Sequence, residues 1–159
     1  MRVIRNGCIQ SVAVAARLRH LAISVPDVAA AQAFFEQAFG MTKAGDAGRG
    51  VYMTDGVMNV ALLHFGDDPV VGVTDDGSEP FYGLYHFGMW VDDLDDASEQ
   101  VERAGAEHLR GRRPDEPNRY YEVKYRSPDG LVFDLTTSGW IGALRDPAEP
   151  DPADSGDEG

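Results

Sequence analysis

The sequence predicts an α+β fold in which two tandem βαβββ modules form one cupped mixed sheet with the helices outside. Three observations carry that expectation. Residues 18–28 (LRHLAISVPDV) align without gaps on residues 84–94 (LYHFGMWVDDL), at an offset of 86 − 20 = 66. Each copy runs on into a helical pattern, and each helix is followed by short strand-like runs. A repeat of this kind marks duplication of one supersecondary unit, which cannot bury its apolar face alone.

The elements follow in chain order. Residues 1–16 read as an N-terminal extension. Their apolar run is broken by Asn6, Gly7, Gln10 and Ser11, which favours a cytoplasmic protein over a secreted one. Cys8 is the single cysteine, so an internal disulfide and a cysteine metal cluster are excluded. Residues 17–143 form one domain, with module one at 17–66. There Asp27 caps a helix running to about Phe39, with Ala31, Phe34, Phe35 and Ala38 as its apolar stripe. A weaker strand is expected near residues 41–44. Strands at 50–54 and 57–65 flank Asp55-Gly56, a hairpin signal.

Residues 67–82, in a stretch rich in Asp, Gly and Pro, form the linker. Module two spans 83–143. Asp93 caps a helix over 94–104, and Gly105 stops it. A weaker strand near 107–110 precedes strands at 120–126 and 131–137, which flank Pro128-Asp129-Gly130. Residues 144–159 are expected to be a disordered tail. From Asp146 onward it holds six acids and neither Lys nor Arg.

Composition narrows the function classes. An apolar fraction of 43% suits a soluble globular chain. No run approaches the ~20 apolar residues needed to span a bilayer. With a net charge of −13 and no basic stripe, neither nucleic acid nor an anionic membrane is expected as a partner.

The repeat places His20 and His86 at equivalent positions of two equivalent strands. Pseudo-twofold packing brings such positions together near the axis, and neutral imidazoles there make a ready pair of metal ligands. Asp134 lies mid-strand in LVFDLT. A buried carboxylate is costly unless paired or bound to a cation. Asp134 is therefore the best third ligand, the alternative being a pair with a nearby Lys or Arg on the sheet. By strand alternation Tyr120, Glu122 and Lys124 share one face, with Tyr121, Val123 and Tyr125 on the other. His64 on the 57–65 strand is a further histidine whose face is open. His108 is expected at the surface, and Trp140 either caps the cleft or anchors the tail.

His20 in RHLAISV, His86 in YHFGMWV and the closing SPDGLVFDL resemble the vicinal oxygen chelate pattern. Glyoxalase I, methylmalonyl-CoA epimerase, fosfomycin resistance proteins and extradiol dioxygenases share that pattern. The resemblance spans roughly residues 18–139. It implies paired βαβββ modules and one divalent metal held by His20, His86 and Asp134, where the family usually has Glu at the last position. It also implies that Lys124, ten residues before Asp134, contacts substrate, so Glu122 and Lys124 become candidates for catalytic proton transfer. A solvated face or a Lys–Glu pair is the competing reading.

Two departures from the family pattern matter. Ala61 stands where glyoxalase I and the epimerases supply a fourth ligand, and Met58 and Asn59 stand where extradiol enzymes place an acid-base histidine. The expectation is a metal-dependent enzyme acting on a small chelating oxygenated substrate, leaning to dioxygenase-like chemistry. Fe(II) is favoured, with Zn, Mn or Ni as other candidates. A glyoxalase- or epimerase-type lyase or isomerase is one alternative, and a drug- or metabolite-sequestering resistance protein is another. A homodimer is expected, since sheet edges and helix faces are left to cover.

Overall fold

The computed structural model describes residues 3–5, 8–10, 15–66, 82–111 and 122–148. Within the expected N-terminal extension, β1 (Val3–Arg5) and β2 (Cys8–Gln10) form a separate antiparallel pair. Module one comprises β3 (Ala16–Ser24), α1 (Val28–Phe39), β4 (Thr42–Asp46), β5 (Gly50–Thr54) and β6 (Asn59–Leu63). Module two comprises β7 (Gly83–Val91), α2 (Leu94–Arg103), β8 (Glu107–Arg110), β9 (Val123–Arg126) and β10 (Val132–Thr136). Eight strands form one open mixed sheet in the order β4-β5-β6-β3-β7-β10-β9-β8. The predicted α+β class and the duplicated order of elements both hold.

Local chemistry fixes the ends of the elements. The Asp27 carboxylate accepts from Ala30 N at 2.9 Å, and Asp93 accepts from Asp96 N at the same distance, as N-caps do. Gly40 ends α1 in the left-handed conformation, φ 65°, with its N–H returned to the last turn. The strands expected at 57–65 and 120–126 are shorter, at Asn59–Leu63 and Val123–Arg126. The linker at 67–81, residues 120–121 and the tail from 149 lie outside the described residues. Residues 144–148, assigned to the tail from sequence, are described and make specific contacts.

The β3–β7 pair carries the symmetry. Leu21 faces Phe87 at its centre, so His20 lies opposite Gly88 and Ala22 opposite His86. Side chains alternate across the sheet. Outward-facing Val51, Met53, Val60 and Leu62 pack with Leu21, Ile23 and Phe35 beneath α1. Val123, Tyr125, Phe133 and Leu135 pack with Phe87 and Met89 beneath α2. The α1 stripe is narrower than predicted: Ala31 and Phe35 reach the core, while Phe34 stays 58% exposed. The opposite, inner face holds the buried polar side chains His20, Ser24, Asn59, His86, Lys124, Asp134 and Thr136. Among the described residues, no helix is long and apolar enough to cross a membrane.

Candidate functional site

The site follows from the register. Because His20 and His86 sit one step either side of the central Leu21–Phe87 pair, their rings approach diagonally, with Nε2 atoms 3.2 Å apart. Asp134 faces Gly88 in the parallel β7–β10 pairing, and its Oδ2 lies 3.0 Å from His86 Nε2. On the other side Asp134 faces Lys124, whose ammonium donates to Oδ2 at 2.8 Å and lies 2.7 Å from Oδ1. The sequence-predicted ligands are thus brought together, and the competing reading of Asp134 as the partner of a sheet lysine is also realised.

Asn59 sets the state of His20. Its Nδ2 donates to Ile141 O at 2.7 Å, which turns Oδ1 toward His20 Nδ1, 2.6 Å away. An amide oxygen only accepts, so His20 carries its hydrogen on Nδ1 and keeps a lone pair on Nε2. His86 Nδ1 is buried and has no partner among the described residues. Burial lowers the pKa of His20 and pushes His86 down to about 2, with the Lys124 charge adding to the His86 shift. Both imidazoles are therefore neutral at ordinary pH. Burial raises Asp134 to about 6, and the Lys124 ammonium opposes that rise.

Metal–ligand bonds of about 2.0–2.2 Å at right angles place neighbouring donor atoms about 3 Å apart. The His20–His86 and His86–Asp134 spacings of 3.2 and 3.0 Å match that, and His20 presents a bare Nε2. As they stand, no three His, Cys, Asp or Glu among the described residues enclose an ion. The carboxylate is turned to Lys124, so closing the set requires Asp134 to share or exchange that contact.

Trp140 and Glu122 complete the surroundings. The Trp140 ring stacks on His20 with centroids 4.8 Å apart and planes at 9°, and its Nε1 donates to Glu122 Oε1. Trp140 therefore caps the histidine, settling the choice left open by the sequence. Ala61 lies opposite Ala22, the repeat equivalent of Gly88, so it occupies the position that Asp134 holds in module two. Tyr52 faces Ala61 as Lys124 faces Asp134.

His64 stands apart from this group: it follows β6, is exposed and donates from Nδ1 to Val25 O at 3.0 Å. His108 corrects the surface expectation. Both of its ring nitrogens are buried, and the ring packs edge-on against Tyr125, because it faces the α2 side of the sheet. Sequence reasoning missed Asn59 as the partner of His20. The signal was present as a lone amide in the apolar run NVALL, but its partner depended on the parallel β3–β6 register.

A family model for the Glyoxalase/Bleomycin resistance protein/Dioxygenase superfamily matches residues 17–135. No curated protein matches the chain. Among solved structures, the chain is similar to the 2,3-dioxygenase LapB from Pseudomonas sp. KL28, with TM-score 0.56 and 15% identity over 80% of this chain. It spans 42% of that protein's length. It is similar also to the hypothetical protein BH1468 from Bacillus halodurans C-125, with TM-score 0.57 and 14% identity, over 85% of this chain and 99% of that one. A third likeness is to a Streptomyces coelicolor methylmalonyl-CoA epimerase in complex with 2-nitronate-propionyl-CoA. There the TM-score is 0.54 and identity 19%, covering 75% of this chain and 94% of that one. At these identities the structural likenesses establish the fold alone.

Proposed function

The chain belongs to the Glyoxalase/Bleomycin resistance protein/Dioxygenase superfamily, and from that premise we propose that it is a divalent-metal-dependent enzyme acting on a small substrate with chelating oxygens. The observation that carries this reading is the convergence of His20 Nε2, His86 Nε2 and Asp134 Oδ2 at spacings of 3.2 and 3.0 Å. Bound there, a divalent ion would supply Lewis-acid chemistry at the substrate oxygens and, as Fe(II), dioxygen chemistry. The chain's own residues divide the remaining work. Burial keeps both imidazoles neutral, as ligands must be. Lys124, released from one Asp134 oxygen, would hold an anionic substrate oxygen or pass it a proton. Glu122, half-buried beside Trp140, is the second group placed for proton transfer.

Three protein ligands favour the oxygenase-like branch, because Ala61 offers no fourth donor and leaves more coordination positions open. Lyase or isomerase chemistry with Zn, Mn or Ni is the alternative within the family. A metal-free, ligand-sequestering role is the second reading. It is favoured by one observation, that Lys124 already neutralises Asp134. Metal analysis of protein purified without added metal separates enzyme from sequestering protein. Oxygen uptake by Fe(II)-loaded protein with a catechol-like compound then tests the branch. Turnover that survives strict anaerobiosis with a redox-inert metal would eliminate the oxygenase reading. Ala61→Glu should suppress oxygen uptake by completing a four-ligand set, and would leave isomerase-type turnover intact.

A further inference from the structure

After β10 the chain turns back over the inner face, from module two to module one. Trp140 lies on His20, and Asn59 holds Ile141 O. Thr54 Oγ1 donates to Gly142 O at 2.6 Å, and Leu144 N donates to Val57 O at 3.0 Å. Arg19 Nε donates to Leu144 O, and the Arg17 guanidinium pairs with Asp146. This return segment is tied to β3, β5, β6 and the turn between β5 and β6.

We propose that Asn59 and Trp140 are positioning residues for His20, and that seating of the return segment and orientation of the His20 imidazole are a single event. The Asn59 amide is a two-ended bridge. A reversed amide would set its oxygen against Ile141 O, so the segment's carbonyl decides which end faces His20. Lifting the segment removes that decision. Trp140 restrains a different freedom, the plane of the ring, through its 9° stack. The stack exists because position 88 is glycine. A Cβ there would fall 2.5 Å from the Trp140 ring and 2.9 Å from His20 Cβ. Glu122 anchors the indole edge in turn. The ring plane is thus set by a contact that exists only with the segment down, and the tautomer by an amide whose orientation the segment fixes.

The proposal deepens the reading of His20 as a ligand, but its test uses full-length protein in chelator, so the two fail separately. Trp90→Phe leaves Trp140 as the sole tryptophan of two. Long-range 1H–15N spectra of the histidines report the tautomer, and acrylamide quenching reports the exposure of Trp140. The parent protein should show His20 with hydrogen on Nδ1 and a shielded Trp140. Asn59→Ala should mix the tautomers and raise quenching, the lost hydrogen bond to Ile141 O shifting the segment's seated–lifted equilibrium about fivefold. Asn59→Asp retains an acceptor for His20 but cannot donate to Ile141 O, so it should keep the tautomer and still expose Trp140. Thr54→Val loosens the segment away from His20 and should also mix the tautomers, which keeps the test decisive should Asn59→Ala not fold. A pure Nδ1–H tautomer in Asn59→Ala, or in a Thr54→Val protein with exposed Trp140, would overturn the coupling. So would unchanged quenching in both Asn59 variants.

Discussion

Replacing Lys124 by Met removes the ammonium and keeps most of the stem. The Asp134 carboxylate it leaves is fully buried, and Lys124 itself is 5% exposed, so solvent cannot take over the charge. Removing one partner of a buried ion pair costs about 3–5 kcal/mol. For a chain of this length each kcal/mol lowers the melting temperature by about 2–4 °C, which gives a loss of roughly 6–20 °C. The sign with pH is fixed by the direction of the Asp134 shift. Its folded pKa stands above the ordinary 3.8, and without the ammonium it rises further above the parent value of about 6. Stability from the protonated form is present in full at low pH and lost as pH rises through the folded pKa. The variant should therefore approach the parent near pH 4 and fall furthest behind at pH 8. A divalent ion would replace the missing charge, so Zn or Mn should stabilise the variant, by about 2.7 kcal/mol at a hundredfold excess over its Kd, and the parent by less at the same concentration. Thermal melts at both pH values, in chelator and in metal, read all of this. Equal stability of variant and parent in chelator at pH 8 would refute the buried-pair argument. A larger metal-induced gain in the parent would refute the exchange of Lys124 for an ion.

Four further outcomes are expected. Because His86 is held at about 2 and Asp134 at about 6, metal binding should strengthen from pH 5 to 7, with close to one proton released per ion at pH 5 and almost none at pH 7, and calorimetry showing two at pH 5 would contradict it. The same His86 shift lies below its ordinary 6.5, so its contribution to stability is present above 6.5 and declines as pH falls, a slope that His86→Gln should flatten. Gly88→Ala forces a Cβ into the Trp140–His20 stack, which should cost about 1–3 kcal/mol and expose Trp140 to quencher; a neutral substitution would show that the stack gives way freely. Phe34 and Phe39 on α1 are 58% and 62% exposed, in keeping with the expected homodimer, and sedimentation showing only monomer at micromolar concentration would exclude it.

The parts of the fold that rest on local chemistry were legible in the sequence. Asp27 and Asp93 cap their helices as residue type demands, and the repeat alone placed His20 beside His86, whereas the equivalence of Ala61 and Asp134 emerged only from the strand register. What stayed hidden depended on register or on long-range return of the chain. Asn59 meets His20 only through parallel pairing of strands 39 residues apart. Residues 140–146 return to module one because Arg17, Arg19 and Thr54 await them, and the acidic composition of residues 146–159 pointed instead to solvent. Phe34 shows the reverse case. Its helical phase allowed burial, but α1 meets the sheet along a narrower line than the stripe.

The asymmetry between Ala61 and Asp134 has a stereochemical consequence. Around two nearly equivalent histidines, the wall built by β9 and β10 carries Lys124 and Asp134, with Glu122 just before β9, whereas the facing wall from β5 and β6 presents Tyr52, Ala61 and Asn59. A flat, symmetric molecule entering such a space meets an ionic side and a neutral side. Its two ends cease to be interchangeable, and so do the two faces of any carbon held between them. The repeat sets two histidines about a pseudo-twofold axis, and the difference between Ala61 and Asp134 breaks their equivalence on the scale of a substrate.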